Sequence, residues 1–342
     1  MPLILAPCDR DPRPLKRERL CGDEALKSLT NDAELWFRDG NVIMIAEDVA
    51  FRVHRGVLSR HSETFRGLFK TSRPADLDAD LKVDGCPVIP VQDSAHDFKH
   101  LLHVLYDGLD TYLEPGKPIK FGILAALVRL SHKYQLDRIF AITLSLMKVV
   151  FTDDFQAWRV RESKTESTTG VKIKDTDAIE AFNLLRTCGQ LELLPVALYI
   201  CCGVETRVLL RGVIRADGSL EKLRDSDLER CLAARDVLEL QNAALNRSVF
   251  DFADPARHAC LAPSTCPVTL HNVGHMAGLG TKSETEARRL FHRILAATPM
   301  STVVCASCAS FITSGLATFY ENLWRDLPKI LDLPVSTWVP AT

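Results

Sequence analysis

The chain has 342 residues, 46% of them apolar and 25% charged, the proportions of an ordinary soluble protein with room for two domains. Its 42 basic and 44 acidic side chains leave a net charge of −2, without the basic excess that a general grip on nucleic acid requires. No apolar run reaches the roughly 20 residues of a membrane span, and the opening Met-Pro-Leu-Ile-Leu-Ala is too short and lacks the basic start of a signal peptide, so a cytoplasmic or nuclear location is expected.

Residues 1–33 carry Pro2, Pro7, Pro12 and Pro14 among many charges, with no sustained period, and read as a disordered tail. Two strands follow, Asn41 to Ala46 and Val49 to Arg55, joined at Glu47-Asp48. Val42, Ile43, Met44 and Ile45 are apolar on both faces, so the first strand belongs inside a sheet. In the second, Val49, Phe51 and Val53 alternate with Ala50, Arg52 and His54. The period then changes: Leu58, Ser62, Phe65 and Phe69 fall at helical spacing and share one face. Residues 71–87 form a polar connection, Val88 to Val91 a short strand, and Asp93 or Ser94 can cap the next helix.

That helix carries Phe98, Leu101, Leu102, Leu105 and Tyr106 and stops near Gly108. Two more helices run through Leu124, Leu127, Leu130 and Tyr134, then Leu136, Ile139, Ile142 and Leu146. The stretch 151–176 is polar over Glu162 to Asp175 and reads as a linker or long exposed loop. From Asp177 the pattern is helical to the end, and Asp225, Asp227 and Glu229 read as a solvated helix face. No internal repeat of solenoid or propeller length is present in the sequence.

The segment Asp39 to Phe69, with His54-Arg55-x-x-Leu58-x-x-x-Ser62-x-x-Phe65-x-x-x-Phe69 at its core, is followed by Val88-x-Pro90-Val91-x-Asp93, Phe98 to Gly108 and Leu130-Ser131-His132-Lys133-Tyr134. Together these resemble a BTB/POZ domain. The resemblance implies an α+β chain: a BTB/POZ domain over 34–150, a small sheet flanked by helices, then a mostly α-helical C-terminal domain over 177–342. It also implies protein partners, self-association as a homodimer, and in some members service as a cullin ubiquitin-ligase adaptor or a transcriptional regulator. Cullin adaptors of the family carry an apolar-x-Glu element in the connection before the third strand. Here residues 71–87 hold Asp76, Asp78, Asp80 and Asp84 and no Glu. In dimeric members a charged pocket lies near the interface, for which the candidates are Asp39 and Arg55, with Asp39 equally readable as a turn residue. His54 is expected to make structural hydrogen bonds, and Phe65 and Phe69 to lie in the core. Leu193-Leu194-Pro195-x-Ala197-Leu198-Tyr199, and Cys305-x-x-Cys308 followed by Trp324 to Pro334, resemble the C-terminal part of BTB proteins from mushroom-forming fungi.

Eleven cysteines in a reducing compartment do not form a disulfide framework. Cys8, Cys21, Cys86, Cys188, Cys201, Cys202 and Cys231 are scattered and read as small apolar residues. Cys260-x5-Cys266 and Cys305-x2-Cys308 differ, because two such pairs supply the four thiolates of a structural zinc site. His258, His271 and His275 are alternative ligands, and four unpaired thiols are the competing reading.

Nothing in the sequence points to an enzyme. It has no GxSxG, no GxxxxGK[ST] and no GxGxxG; Gly274, Gly278 and Gly280 cluster at the wrong spacing. His271-x3-His275 has Asn272 where a metalloprotease needs Glu. Arg288, Arg289 and Arg293 are three basic residues on one segment, read as a solvated face, and nucleic acid is not expected as a partner.

Overall fold

Two kinds of apolar run set the sheet. A computed structural model describes residues 29–71, 82–83, 85–113, 116–163, 170–250, 259–278, 302–336 and 338. Strand β2 (Val42–Ala46) has all five residues buried and lies at the centre of a five-stranded sheet. It pairs antiparallel with β3 (Val49–Val53) and parallel with β5 (Cys86–Val91), where Ile43 faces Val88. The short β4 (Lys82–Val83) closes one edge and β1 (Thr30–Trp36) the other, in the order β1-β3-β2-β5-β4. The sheet thus begins at Thr30, inside the segment expected to be a tail; residues 1–28, with Cys8 and Cys21, lie outside the described residues. Only two of the seven β1 residues, Leu35 and Trp36, are not polar or small, which is why no period announced it.

The single helix expected after His54 is two helices, α1 (Arg55–His61) and α2 (Glu63–Thr71). Ser62 between them is extended, at φ −139° and ψ 125°. Its Oγ accepts from the Phe65 amide at 3.1 Å, as an N-cap does, and donates to the Tyr134 carbonyl at 2.6 Å. The apolar face survives the break: Leu58 and Phe65 are fully buried, and the Phe65 ring stacks on Tyr134 at 4.2 Å. Helix α3 (Ala95–Asp107) starts at Ser94, whose side chain accepts from the Asp97 amide, and ends at Gly108. A short α4 (Leu109–Tyr112) follows, then α5 (Phe121–Lys133) and α6 (Asp137–Val150).

Helix α5 is apolar on two sides, and this decides the rest. Leu130 joins the core under the sheet with Phe51, Leu58, Phe65 and Phe98. Phe121, Leu124, Ala125 and Val128 join a second core built from the C-terminal half of the chain. Of the stretch expected to be a linker, residues 164–169 lie outside the described residues, and the parts on either side contribute to that core. Phe151 and Phe155 are buried, α7 (Phe155–Ser163) buries Trp158 completely, and β7 (Val171–Lys172) pairs with β6 (Ile119–Lys120). Trp158 packs against Trp324, Tyr199 and Tyr320 at ring separations of 5.4–5.9 Å. Its neighbours come from α9 (Leu194–Cys201) and the long α13 (Ala306–Ile330). Between and beside these run α8 (Asp177–Thr187), α10 (Thr206–Arg211), the hairpin of β8 (Val213–Ile214) with β9 (Leu220–Glu221), α11 (Asp225–Phe250) and α12 (Cys266–Gly278). No helix of the described residues is long and apolar enough to cross a membrane.

Charges cross the boundary between the two cores. Arg129 on α5 bridges Asp97 on α3 and Glu180 on α8. Arg215 on the hairpin reaches the same two carboxylates at 3.3 and 3.1 Å. Asp97 is 4% exposed and Glu180 7%, so both depend on these partners. Burial raises the pKa of Glu180, while Arg129 and Arg215 pull it back. The face read as solvated at 225–229 also needs correction: Asp227 is wholly buried and holds Arg186 and Arg230.

Replacing Trp158 by Ala is expected to cost about 3–5 kcal/mol, the usual loss for an enclosed large aromatic. Denaturant unfolding followed both by tryptophan fluorescence and by sheet-region amide exchange checks this. A change under about 0.5 kcal/mol, the level of a surface substitution, would mean that α7 does not pack into the C-terminal core.

Candidate functional site

The sulfur cluster is assembled by two helix starts. Cys305 is the N-cap of α13, in extended backbone at φ −63° and ψ 159°, and Cys308 lies in the first turn. Cys266 opens α12, and Cys260 precedes it in a loop entered through Ala259 at φ 51°. Helix N-termini favour negative charge, which suits thiolates. The four Sγ atoms lie within 4.8 Å of one another. Cys260 Sγ is 3.9 Å from Cys305 Sγ and 3.4 Å from Cys308 Sγ. A zinc ion with sulfurs at about 2.3 Å in a tetrahedron would set them about 3.8 Å apart, close to this arrangement.

Backbone amides already face the sulfurs. Leu261 N–H donates to Cys305 Sγ at 3.4 Å, and Cys305 N–H donates to Cys266 Sγ at 3.3 Å. Amides of Cys308 and Leu261 bring the Cys305 thiol down to about 6, whereas burial and the neighbouring thiols push Cys308 well up. One sulfur of the set is therefore a ready thiolate, and a bound ion's charge would release the others from their protons. The surrounding core is small: Cys266, Leu270, Val304, Cys308, Ala309 and Ile312. Of the histidines weighed as alternative ligands, His271 is exposed on α12, and His258 and the side chain of His275 lie outside the described residues. The same holds for Arg288, Arg289 and Arg293.

The other cysteines behave as apolar filling. Cys86, Cys188, Cys201, Cys202 and Cys231 are all buried, with Cys202 and Cys231 sulfurs 3.7 Å apart between α9 and α11. That pairing gave no sequence signal, since 29 positions separate the two.

The two residues expected to share a charged pocket are engaged apart. Asp39 faces His54 Nε2 at 3.3 Å, and His54 Nδ1 meets the Tyr106 hydroxyl at 2.9 Å. That hydroxyl accepts from the His54 amide at 2.8 Å. It therefore donates to Nδ1, which leaves the ring proton on Nε2 for Asp39. Arg55 turns the other way, donating to the Phe69 carbonyl at 3.0 Å with its guanidinium 5.2 Å from the Phe69 ring centre. Gly40 explains where Asp39 sits. The chain passes so close to Arg52 that a Cβ on Gly40 would lie 2.8 Å from Arg52 Cγ and 3.0 Å from its carbonyl oxygen. His54, Leu58, Ser62, Phe65 and Phe69 are thus framework: a hydrogen-bonded corner, a capping residue and buried apolar groups.

In the metal-free protein, alkylation of Cys305 is expected to rise with pH through a midpoint near 6, because its thiolate forms above that value. Mass-mapped iodoacetamide labelling after chelation measures it. A midpoint near the free-thiol value of about 8.5 would show that the amides do not act on this sulfur.

Residues 37–149 match the BTB/POZ domain family, a span that runs from the end of β1 to the end of α6. BTB/POZ domains are protein–protein interaction modules. No curated protein matches the chain.

Proposed function

We propose that this is a non-catalytic interaction protein that self-associates as a homodimer through its BTB/POZ region and offers its helical C-terminal body to a second protein. The observation that carries this reading is the family match over 37–149. It is supported by the residues of the sequence signature, which serve as framework and leave the exposed faces of α1, α2 and β1 for partners. Docking as a cullin adaptor or as a transcriptional regulator remains a narrower form of the same proposal. The Glu-free connection at 71–87 weighs against the cullin form, and the resemblance to proteins of mushroom-forming fungi rests on residues 193–199 and 305–334.

Within this protein we assign Cys260, Cys266, Cys305 and Cys308 to one structural zinc ion. Four protein sulfurs would fill a tetrahedral ion and leave no position for water, so the role is to hold the Cys260–Cys266 segment against the start of α13. Among the described residues, the apolar core beside the four sulfurs is only Leu270, Val304, Ala309 and Ile312, and a metal would add to it.

Native mass spectrometry of the full chain, purified without chelator and then treated with one, tests both assignments. The expected species is a dimer with one zinc per chain, losing zinc on chelation; Cys308→Ser should load less zinc. A monomer at micromolar concentration would overturn self-association. A chain whose four thiols are freely alkylated without chelator would overturn the zinc centre.

A further inference from the structure

His96 and His100 stand one turn apart on α3, with ring planes at 82° and centroids 4.5 Å apart. Their Nε2 atoms face each other at 3.2 Å. His96 Nδ1 lies 3.0 Å from Asp97 Oδ1, and a carboxylate only accepts, so that nitrogen holds the proton and Nε2 of neutral His96 is a lone pair. His100 Nδ1 meets the Tyr112 hydroxyl, which can donate or accept.

Two proton arrangements follow. With Tyr112 donating, His100 Nε2–H donates to His96 Nε2, and the chain Tyr112–His100–His96–Asp97 is closed without any ion. With Tyr112 accepting, the His100 proton sits on Nδ1 and two lone-pair nitrogens lie 3.2 Å apart. Two imidazole nitrogens at about 2.0–2.1 Å from one ion, subtending 90–109°, lie about 2.9–3.4 Å apart. The observed 3.2 Å falls inside that window.

We propose that His96 and His100 chelate a divalent transition metal of the zinc, nickel or copper(II) class, leaving its other coordination positions open. Imidazoles suit these ions, and here each ring is already oriented from behind by Asp97 or Tyr112, as metal-bound histidines are. Nearby cations do not compete for the position. Lys99 is drawn to Asp32 and Glu34 at 3.1 and 3.3 Å, and His103 is paired with Glu34 and Asp107. Binding transfers the His100 proton from Nε2 to Nδ1 and turns the Tyr112 hydroxyl, so no proton leaves the protein. The site is independent of the thiol centre, which would take its own ion first through four sulfurs.

The test is equilibrium dialysis against nickel of the full chain loaded with one zinc per chain, comparing wild type with His96→Asn, His100→Asn and His103→Asn. Wild type and the His103 variant should bind one equivalent that the other two bind at least about tenfold more weakly, the scale on which metal-site substitutions act. Equal binding by all four overturns the proposal. Because His100→Asn could disturb the fold, imidazole nitrogen spectra of the wild type provide a second reading. Added zinc should shift the Nε2 signals of His96 and His100 together; unshifted Nε2 signals would mean the pair is only a hydrogen-bonded chain.

Discussion

Apolar residues on two sides of one helix are the constraint on which this structure depends. Helix α5 gives Leu130 to the core under the sheet and Phe121, Leu124, Ala125 and Val128 to the core of the C-terminal half. A helix buried on both sides has no solvated face to spare, so each half covers what the other would expose. The ionic group of Arg129, Arg215, Asp97 and Glu180 sits along this boundary. Buried pairs of this kind contribute little net stability, yet removing one partner leaves a costly unpaired charge. A slip of the halves would leave the buried carboxylates of Asp97 and Glu180 without the arginines that face them.

This arrangement fixes how the BTB/POZ region sits against the C-terminal helices. A BTB/POZ region joined by a flexible tether would leave the rest of the chain to wander. Here Trp158 and Phe155, in the segment between the halves, are enclosed by rings from α9 and α13. Anything bound to the C-terminal body is therefore held at a fixed angle to whatever the N-terminal region grips. The sulfur cluster lies at the far end of α13, where among the described residues Leu270, Val304, Ala309 and Ile312 form a small apolar core beside four thiols that could hold a metal.

Much of the N-terminal fold was legible because its signals are local. The all-apolar run Val42 to Ile45 announced a central strand, the alternation after Val49 a second, and the switch to helical spacing at Leu58 marked the turn out of the sheet. The break at Ser62 was not legible. A serine in a helical pattern is neutral until something accepts its hydroxyl, and the acceptor, the Tyr134 carbonyl, lies 72 positions along the chain. Asp227 was misread for the same reason: an acidic residue in the first turn of a helix looks solvated until Arg186 is brought over it. The thiol set was read correctly as two pairs, since a CxxC spacing fixes two sulfurs on one helix start whatever the rest does.

The sequence by itself determined the α+β class, the interior place of β2 in a sheet and the two cysteine pairs as candidate ligands, because each rests on periodicity or close spacing within a segment. Only the tertiary structure decided that Phe151, Phe155, Trp158 and Val171 are core, that Asp39 turns to His54 while Arg55 turns to Phe69, and that the Nε2 atoms of His96 and His100 lie 3.2 Å apart. These depend on which distant groups a side chain meets and on which ring nitrogen is held from behind. A sequence records neither until the chain has closed on itself.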